Sequence, residues 1–268
     1  MRAKCAKILH HIKRHNARRF WNFSFCFPCS GLLSSLFGGT EVSYPPQTQH
    51  MSRLSKLYLL SYNSLQCLGW ALALSRVLGS VLATKSIHGA YASAGDLICL
   101  LQTISFLEVI HAAIGLVSSG AVLALMQWGG RTHFLLAIVR QIPEVQNLPS
   151  VFITFTAWSI SEVIRYFHYA LIGIGTSPSW LSYLRYTAFI LLYPIGVAPG
   201  EMWLMYQALP FIKERDLYAN FFDRLTISYY SFILAVLVCY PVLWLKLYLH
   251  LFKQRQSKLG KHQRKKRL

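Results

Sequence analysis

Residues 227–251 read ISYYSFILAVLVCYPVLWLKLYLHL, twenty-five positions that hold a single Lys246 and no Asp or Glu. A helix of about 20 mostly apolar residues crosses a bilayer, so this stretch predicts a membrane span. Working back along the chain, five more windows of comparable length are bounded by charge, Gly or Pro: roughly 57–82, 96–117, 121–140, 151–174 and 181–209. The window at 121–140 is the weakest, because Arg131 and His133 interrupt it after Gly129-Gly130. The expected fold is all-α, a polytopic membrane protein built as a six-transmembrane-helix bundle.

Composition points the same way. Hydrophobic residues make up 54% of the 268 and charged residues 13%, about half the charged share of a soluble domain. The net charge of +18 is concentrated at the two ends. Residues 1–50 carry seven basic residues and one acidic, and 246–268 carry nine basic and none acidic, while 51–245 is nearly balanced. A membrane body with basic tails fits this distribution, and a nucleic-acid binder does not. The expected organisation is a basic, disordered extension at 1–50, a six-span catalytic domain at 51–252 and a basic cytosolic tail at 253–268. An even number of spans places both termini on one side, and the basic excess makes that side the cytosol. The basic residues of segment 211–226 argue mildly against this orientation. Lys265 and Lys266 stand fourth and third from the C-terminus, the spacing of a dilysine retrieval signal of the endoplasmic reticulum. A polybasic tail drawn to anionic membrane lipid is the alternative.

The six cysteines show no disulfide framework. Cys26 and Cys29 form a lone CxxC downstream of His10, His11 and His15, and without a second pair at a defined spacing no metal site is expected.

Ionisable groups at membrane depth are candidates for function. Glu108 and His111 are three residues apart, as are Glu162 and Arg165, so each pair shares a helix face. Glu162 with Arg165 reads as an internal neutralisation that fixes packing. Glu108 with His111 reads equally as packing or as a proton path. Glu201 has no basic neighbour at helical spacing and follows Tyr193-Pro194-Ile195-Gly196-Val197-Ala198-Pro199-Gly200. Pro and Gly free backbone groups that other helices or a ligand must meet. This segment is therefore a candidate cavity wall, or else simply the end of a span.

Five ordered segments carry a family resemblance: Leu107-Glu108-Val109-Ile110-His111, Trp158 to Tyr166, Arg185-Tyr186, Leu192-Tyr193-Pro194-Ile195-Gly196 and Tyr206-Gln207-Ala208-Leu209-Pro210. Together they resemble the very-long-chain (3R)-3-hydroxyacyl-CoA dehydratases, also called protein-tyrosine-phosphatase-like or PASTICCINO proteins, with a plant-like character. The resemblance runs from about Met51 to Phe252. It implies a six-span protein of the endoplasmic reticulum membrane that removes water from a very-long-chain (3R)-3-hydroxyacyl-CoA to give the trans-2-enoyl-CoA, the third step of fatty-acid elongation. Its partners would be ketoacyl-CoA synthase and the ketoacyl and enoyl reductases, and no cofactor is implied. It casts Tyr193 and Glu201 as the catalytic pair, one acid and one base, with the assignment open. Glu108, His111, Glu162, Arg165, Arg185 and Tyr186 become candidates to orient the pair or hold the substrate's polar head.

One departure stands out. The family pattern places Glu seven residues after Tyr, whereas Pro199-Gly200 makes it eight here. Seven residues return a side chain to within about 20° of its start on an ideal helix, and eight leave it about 80° away. A kink or one-residue bulge at Pro199-Gly200 would restore the pair. If the geometry were lost instead, the chain would be an inactive scaffold within the elongase. A proton-relay transporter using the three glutamates is weaker still, because no internal repeat is visible. Phosphatase chemistry lacks a nucleophile: none of the six cysteines has Arg six positions later, and Ala112-Ala113-Ile114-Gly115 has Ala where a thiol would stand.

Overall fold

The computed structural model of the chain describes residues 52–267 apart from 118, 119, 177 and 226. The expectations for residues 1–50, including the CxxC, fall outside the described residues, as does Leu268 beyond the dilysine pair.

All described elements are helical. In chain order they are α1 (Arg53–Thr84), α2 (Ala90–Ile104), α3 (Leu107–Ala113), α4 (Ala121–Thr132), a π-helical turn (His133–Val139), α5 (Pro143–Gln146), α6 (Pro149–Gly173), α7 (Ser179–Arg185), α8 (Phe189–Ile195), a second π-helical turn (Gly196–Met202), α9 (Trp203–Glu214), α10 (Ala219–Phe222), a 3₁₀ turn (Asp223–Leu225) and α11 (Tyr229–Arg267). Local chemistry sets several boundaries. Ser52 caps α1, its Oγ accepting the Ser55 N–H at 3.1 Å, and Lys85 ends it in the left-handed region at φ 55°. Pro149 opens α6 in the first turn, where its missing N–H costs no intrahelical bond.

Four helical stretches are long and apolar enough to cross a bilayer: Arg53–Thr84, Ala90–Ala113, Ser179–Glu214 and Tyr229–Lys253. The chain is thus a multi-pass helical membrane protein, and these stretches cover the windows expected at 57–82 and 181–209 and overlap most of those expected at 96–117 and 227–251. The windows at 121–140 and 151–174 fall on α4 with its π turn and on α6, neither of which joins that group of four.

The reason for α6 is visible in its packing. It is the central helix, against which α1, α2, α7, α8 and the Gly196–Met202 turn all lie. Its 25 residues bury Ser150, Thr154, Ser159, Ser161, Glu162, Arg165 and His168. Polar groups that lower its hydropathy therefore face protein and not lipid. The outer faces of α1 and α11 are the reverse, with Leu65 69%, Leu68 67% and Val238 70% exposed. Such apolar surface suits a hydrocarbon solvent.

Contacts fix which ends lie together. Leu60 of α1 approaches Gly173 at the end of α6, His168 meets Ser182 of α7 at 3.3 Å, and Arg255 of α11 meets Thr187. The start of α1 and the C-terminal part of α11 therefore share one end of the bundle. The other end joins His88 to the Asn147 carbonyl at 2.6 Å and Arg215 to Glu144.

Pro194 removes an N–H that would otherwise bond the Ile190 carbonyl four residues back. The Tyr248 hydroxyl donates to that carbonyl at 3.1 Å. A backbone group freed inside the membrane is thus met by the neighbouring helix.

Candidate active site

Two polar clusters occupy the interior. The first is ionic. Arg165 donates from both terminal nitrogens to Glu108, at 2.7 and 2.9 Å, and from Nε to Glu162 at 2.5 Å. Glu162 also accepts from Arg131 of α4, and Glu108 accepts from the Tyr166 hydroxyl. Two carboxylates and two guanidiniums leave no net charge, which is what makes such groups tolerable away from water. The expected Glu162–Arg165 neutralisation is present, and it is one half of this larger assembly. His111 takes a different partner, the Tyr58 hydroxyl at 2.8 Å, and sits edge-on to Tyr62.

Arg185 and Tyr186 lie elsewhere. Arg185 donates to the Tyr169 hydroxyl at 3.0 Å, and the Tyr186 ring stands edge-on to His168. Arg185 closes α7 and Tyr186 follows it, and their described partners are not those of the Glu108–Arg165–Glu162–Arg131 assembly.

The second cluster contains Tyr193 and Glu201, both buried. Tyr193 leaves α8 to stack on Trp244 and Tyr248, with ring centroids 6.2 and 6.1 Å away and planes 20° and 13° apart. Glu201 accepts from Trp158 Nε1 at 2.7 Å through one oxygen and from the Tyr240 hydroxyl through the other. Tyr240, Trp244 and Tyr248 recur every four residues, so they line one stripe of α11. Tyr193 and Glu201 therefore face the same stripe despite the eight-residue spacing.

The Gly196–Met202 turn explains how. A π turn holds one residue more than the α turn it replaces. Lodging the extra residue between Tyr193 and Glu201 restores the seven-residue angular relation. Two glycines let this wider turn approach α6. A Cβ on Gly196 would stand 3.2 Å from Ala157 Cβ, and one on Gly200 would stand 2.6 Å from Thr154 Oγ1. The spacing Gly-x-x-x-Gly is the small-residue pattern by which membrane helices pack closely. Gly200→Ala is expected to push the turn off α6, lengthen the Trp158–Glu201 bond and cut activity at least about tenfold, the scale of one lost hydrogen bond to a charge. Thr154→Ala in the same chain removes the obstructing hydroxyl and should return most of that loss. A double variant no better than Gly200→Ala alone would refute the steric account.

Sequence reasoning missed four residues here: Arg131, Trp158, Tyr166 and Tyr240. Arg131 carried a readable signal, since a cation inside an apolar window meets the criterion applied to the carboxylates. Trp158 and Tyr166 lay within a quoted motif without an assigned role. Tyr240 looked like one more aromatic in a span, and only the fold brings it to Glu201. Glu201 has no basic neighbour at helical spacing, and Trp158 and Tyr240 hold it instead, from α6 and α11, because the π turn brings it between those two helices.

This interior defines a class: a helical membrane protein with a buried carboxylate and a buried phenol set on one aromatic stripe. A family model described as protein tyrosine phosphatase-like protein, PTPLA, matches residues 102–261. The chain belongs to that family. It is similar to very-long-chain (3R)-3-hydroxyacyl-CoA dehydratase 2 of Homo sapiens, 34% identical over 210 residues, 77% of this chain and 82% of that protein. It is also similar to very-long-chain (3R)-3-hydroxyacyl-CoA dehydratase 1 of Canis lupus familiaris, 30% identical over 226 residues that cover 82% and 90% of the two chains. Dehydratase 3 of Mus musculus is 33% identical over 235 residues, 83% of this chain and 62% of that one. No solved structure matches.

Proposed function

We propose that the protein dehydrates very-long-chain (3R)-3-hydroxyacyl-CoA to the trans-2-enoyl-CoA, with Tyr193 and Glu201 as its acid/base pair. The observation that carries this reading is the common orientation of the two side chains on the α11 stripe, across a spacing that a plain helix would scramble. The relatives' names supply the reaction class.

In the proposed mechanism Glu201 is the base. Trp158 is a donor only, and it and Tyr240 each direct a hydrogen at one carboxylate oxygen. Lone pairs remain on both oxygens to receive a proton. Glu201 takes the proton from C2 of the substrate, and the electrons of that C–H bond become the C2–C3 double bond. The C3–O bond breaks with its pair on oxygen, and Tyr193 supplies the proton that lets it leave as water. Return of the proton from Glu201 to Tyr193 resets the site. The acyl chain runs in the apolar space between the helices.

Six spans with α4 and its π turn, and α6, as the third and fourth remain the preferred topology, because α6 keeps its polar residues inside. Segments 52–60, 174–188 and 249–256 hold five basic residues and no acidic one at the end shared by α1 and α11. At the other end, segments 83–96, 140–148 and 212–226 hold five of each. The positive end is placed in the cytosol, which puts both termini there. The membrane is that of the endoplasmic reticulum, with Lys265 and Lys266 as its retrieval signal. Within elongation, the enzyme accepts what a ketoacyl reductase makes and supplies an enoyl reductase. An inactive scaffold is not favoured, since the π turn absorbs the residue that prompted it.

The direct test is incubation of the detergent-purified chain with a long-chain (3R)-3-hydroxyacyl-CoA. Formation of the trans-2-enoyl-CoA, read by mass and by its conjugated absorbance, is expected. A folded protein that leaves the substrate unchanged would overturn the reading.

A further inference from the structure

Along α11 the residues that touch the Thr187–Glu201 stretch recur turn by turn. Tyr240 holds Glu201, Trp244 and Tyr248 stack on Tyr193, Phe252 meets Phe189 with ring centroids 5.3 Å apart, and Arg255 Nε donates to Thr187 Oγ1 at 3.4 Å. Two antiparallel elements thus form one seam that starts at the acid/base pair and finishes at a guanidinium on the positive end of the bundle. Nine residues separate Arg255 from the midpoint of the Trp244–Tyr248 pair, about 14 Å at the helical rise. The pantetheine arm of CoA has about a dozen bonds between its sulfur and its first phosphate, and an extended chain of that many bonds also spans about 14 Å.

The guanidinium is placed to meet an anion. Arg255 is half-buried and lies 5.9 Å from the centre of the Tyr183 ring. Its described hydrogen bond uses Nε alone, and the planar group carries four further N–H donors that suit phosphate. No carboxylate occurs in segments 174–188 or 249–256 to compete for it.

We propose that Arg255, braced by Thr187, docks the phosphates of the substrate's CoA, and that the α8–α11 seam guides the pantetheine arm to Tyr193. This rests on the dehydratase reading and adds where the water-soluble half of the substrate is held. A phosphate on a membrane lipid has the same chemistry, and the test separates the two sources.

The full-length protein and its Arg255→Gln variant are compared in phosphatidylcholine vesicles on two substrates with one acyl chain: the 3-hydroxyacyl-CoA and the matching 3-hydroxyacyl-pantetheine, which lacks phosphate. Arg255→Gln should raise KM for the CoA ester about tenfold, the scale of a lost charge-assisted contact. The wild-type preference for CoA over pantetheine should shrink by the same factor. Arg215→Gln, at the opposite end, should keep the wild-type preference. An equal loss on both substrates would mark a structural or lipid-phosphate role and overturn the proposal, as would no change on either. Failure of the wild type on both substrates would instead remove the dehydratase reading beneath it.

Discussion

Glu201→Gln should yield a folded protein whose kcat falls by about 10³-fold, the usual scale for losing a general base. The amide keeps the shape and can still accept from Trp158 and Tyr240, so the aromatic stripe has little reason to move. What it cannot do is take a proton from C2. Tyr193→Phe should fall by a similar factor for the complementary reason, since its ring stays against Trp244 and Tyr248 while its proton is gone. Removing both should cost little more than removing one, because groups that act as a unit are not additive. Single-turnover rates with thermal unfolding alongside would check this. Either variant keeping near wild-type kcat would remove that residue from the chemistry.

The second large effect lies in the ionic cluster and falls on stability. Glu162 is the carboxylate shared by Arg131 and Arg165, and both it and Arg131 are almost wholly enclosed. Glu162→Gln strips the charge and leaves this cluster with two guanidiniums and one carboxylate, Glu108, in a place where water cannot follow. Removing one partner of a buried pair costs about 3–5 kcal/mol. For a chain of this size that is roughly a 10 °C fall in Tm. Arg165 retains Glu108, while Arg131 retains the faces of Trp158 and Trp70, its guanidinium 4.1 and 5.9 Å from the ring centres. The Glu162→Gln/Arg131→Gln double variant, neutral again, should therefore recover part of the lost Tm. A single variant as stable as wild type would show that the cluster is not a structural keystone.

How much was legible beforehand divides by physical cause. The all-helical membrane character followed from long apolar windows, because lipid imposes a length and a composition on each span. Four of the six windows fall on helices apolar enough to cross. Hydropathy is a poor guide to α6, the helix most enclosed by protein, since its serines, Glu162, Arg165 and His168 lower its score without ever meeting lipid. Tyr193 and Glu201 were legible as candidates through motif and depth. Their true neighbours were not, because Trp158 and Tyr240 are 43 and 39 residues away in sequence. Spacing put Glu108 and His111 on one face but could not name their partners: Arg165 reaches Glu108 through tertiary packing, and Tyr58 reaches His111.

The π turn at Gly196–Met202 also changes what a spacing means. An interval between two motif residues is counted along the backbone, whereas the chemistry depends on azimuth about the helix axis. A helix that stores one residue in a wider turn separates the two quantities, leaving the segments before and after it unrotated. A comparison of chains that treats the Tyr-to-Glu interval as rigid would class this one as broken, although both side chains meet the same stripe of α11. Length can drift by one residue here without disturbing the pair, provided that small residues such as Gly196 and Gly200 leave room for the wider coil against α6.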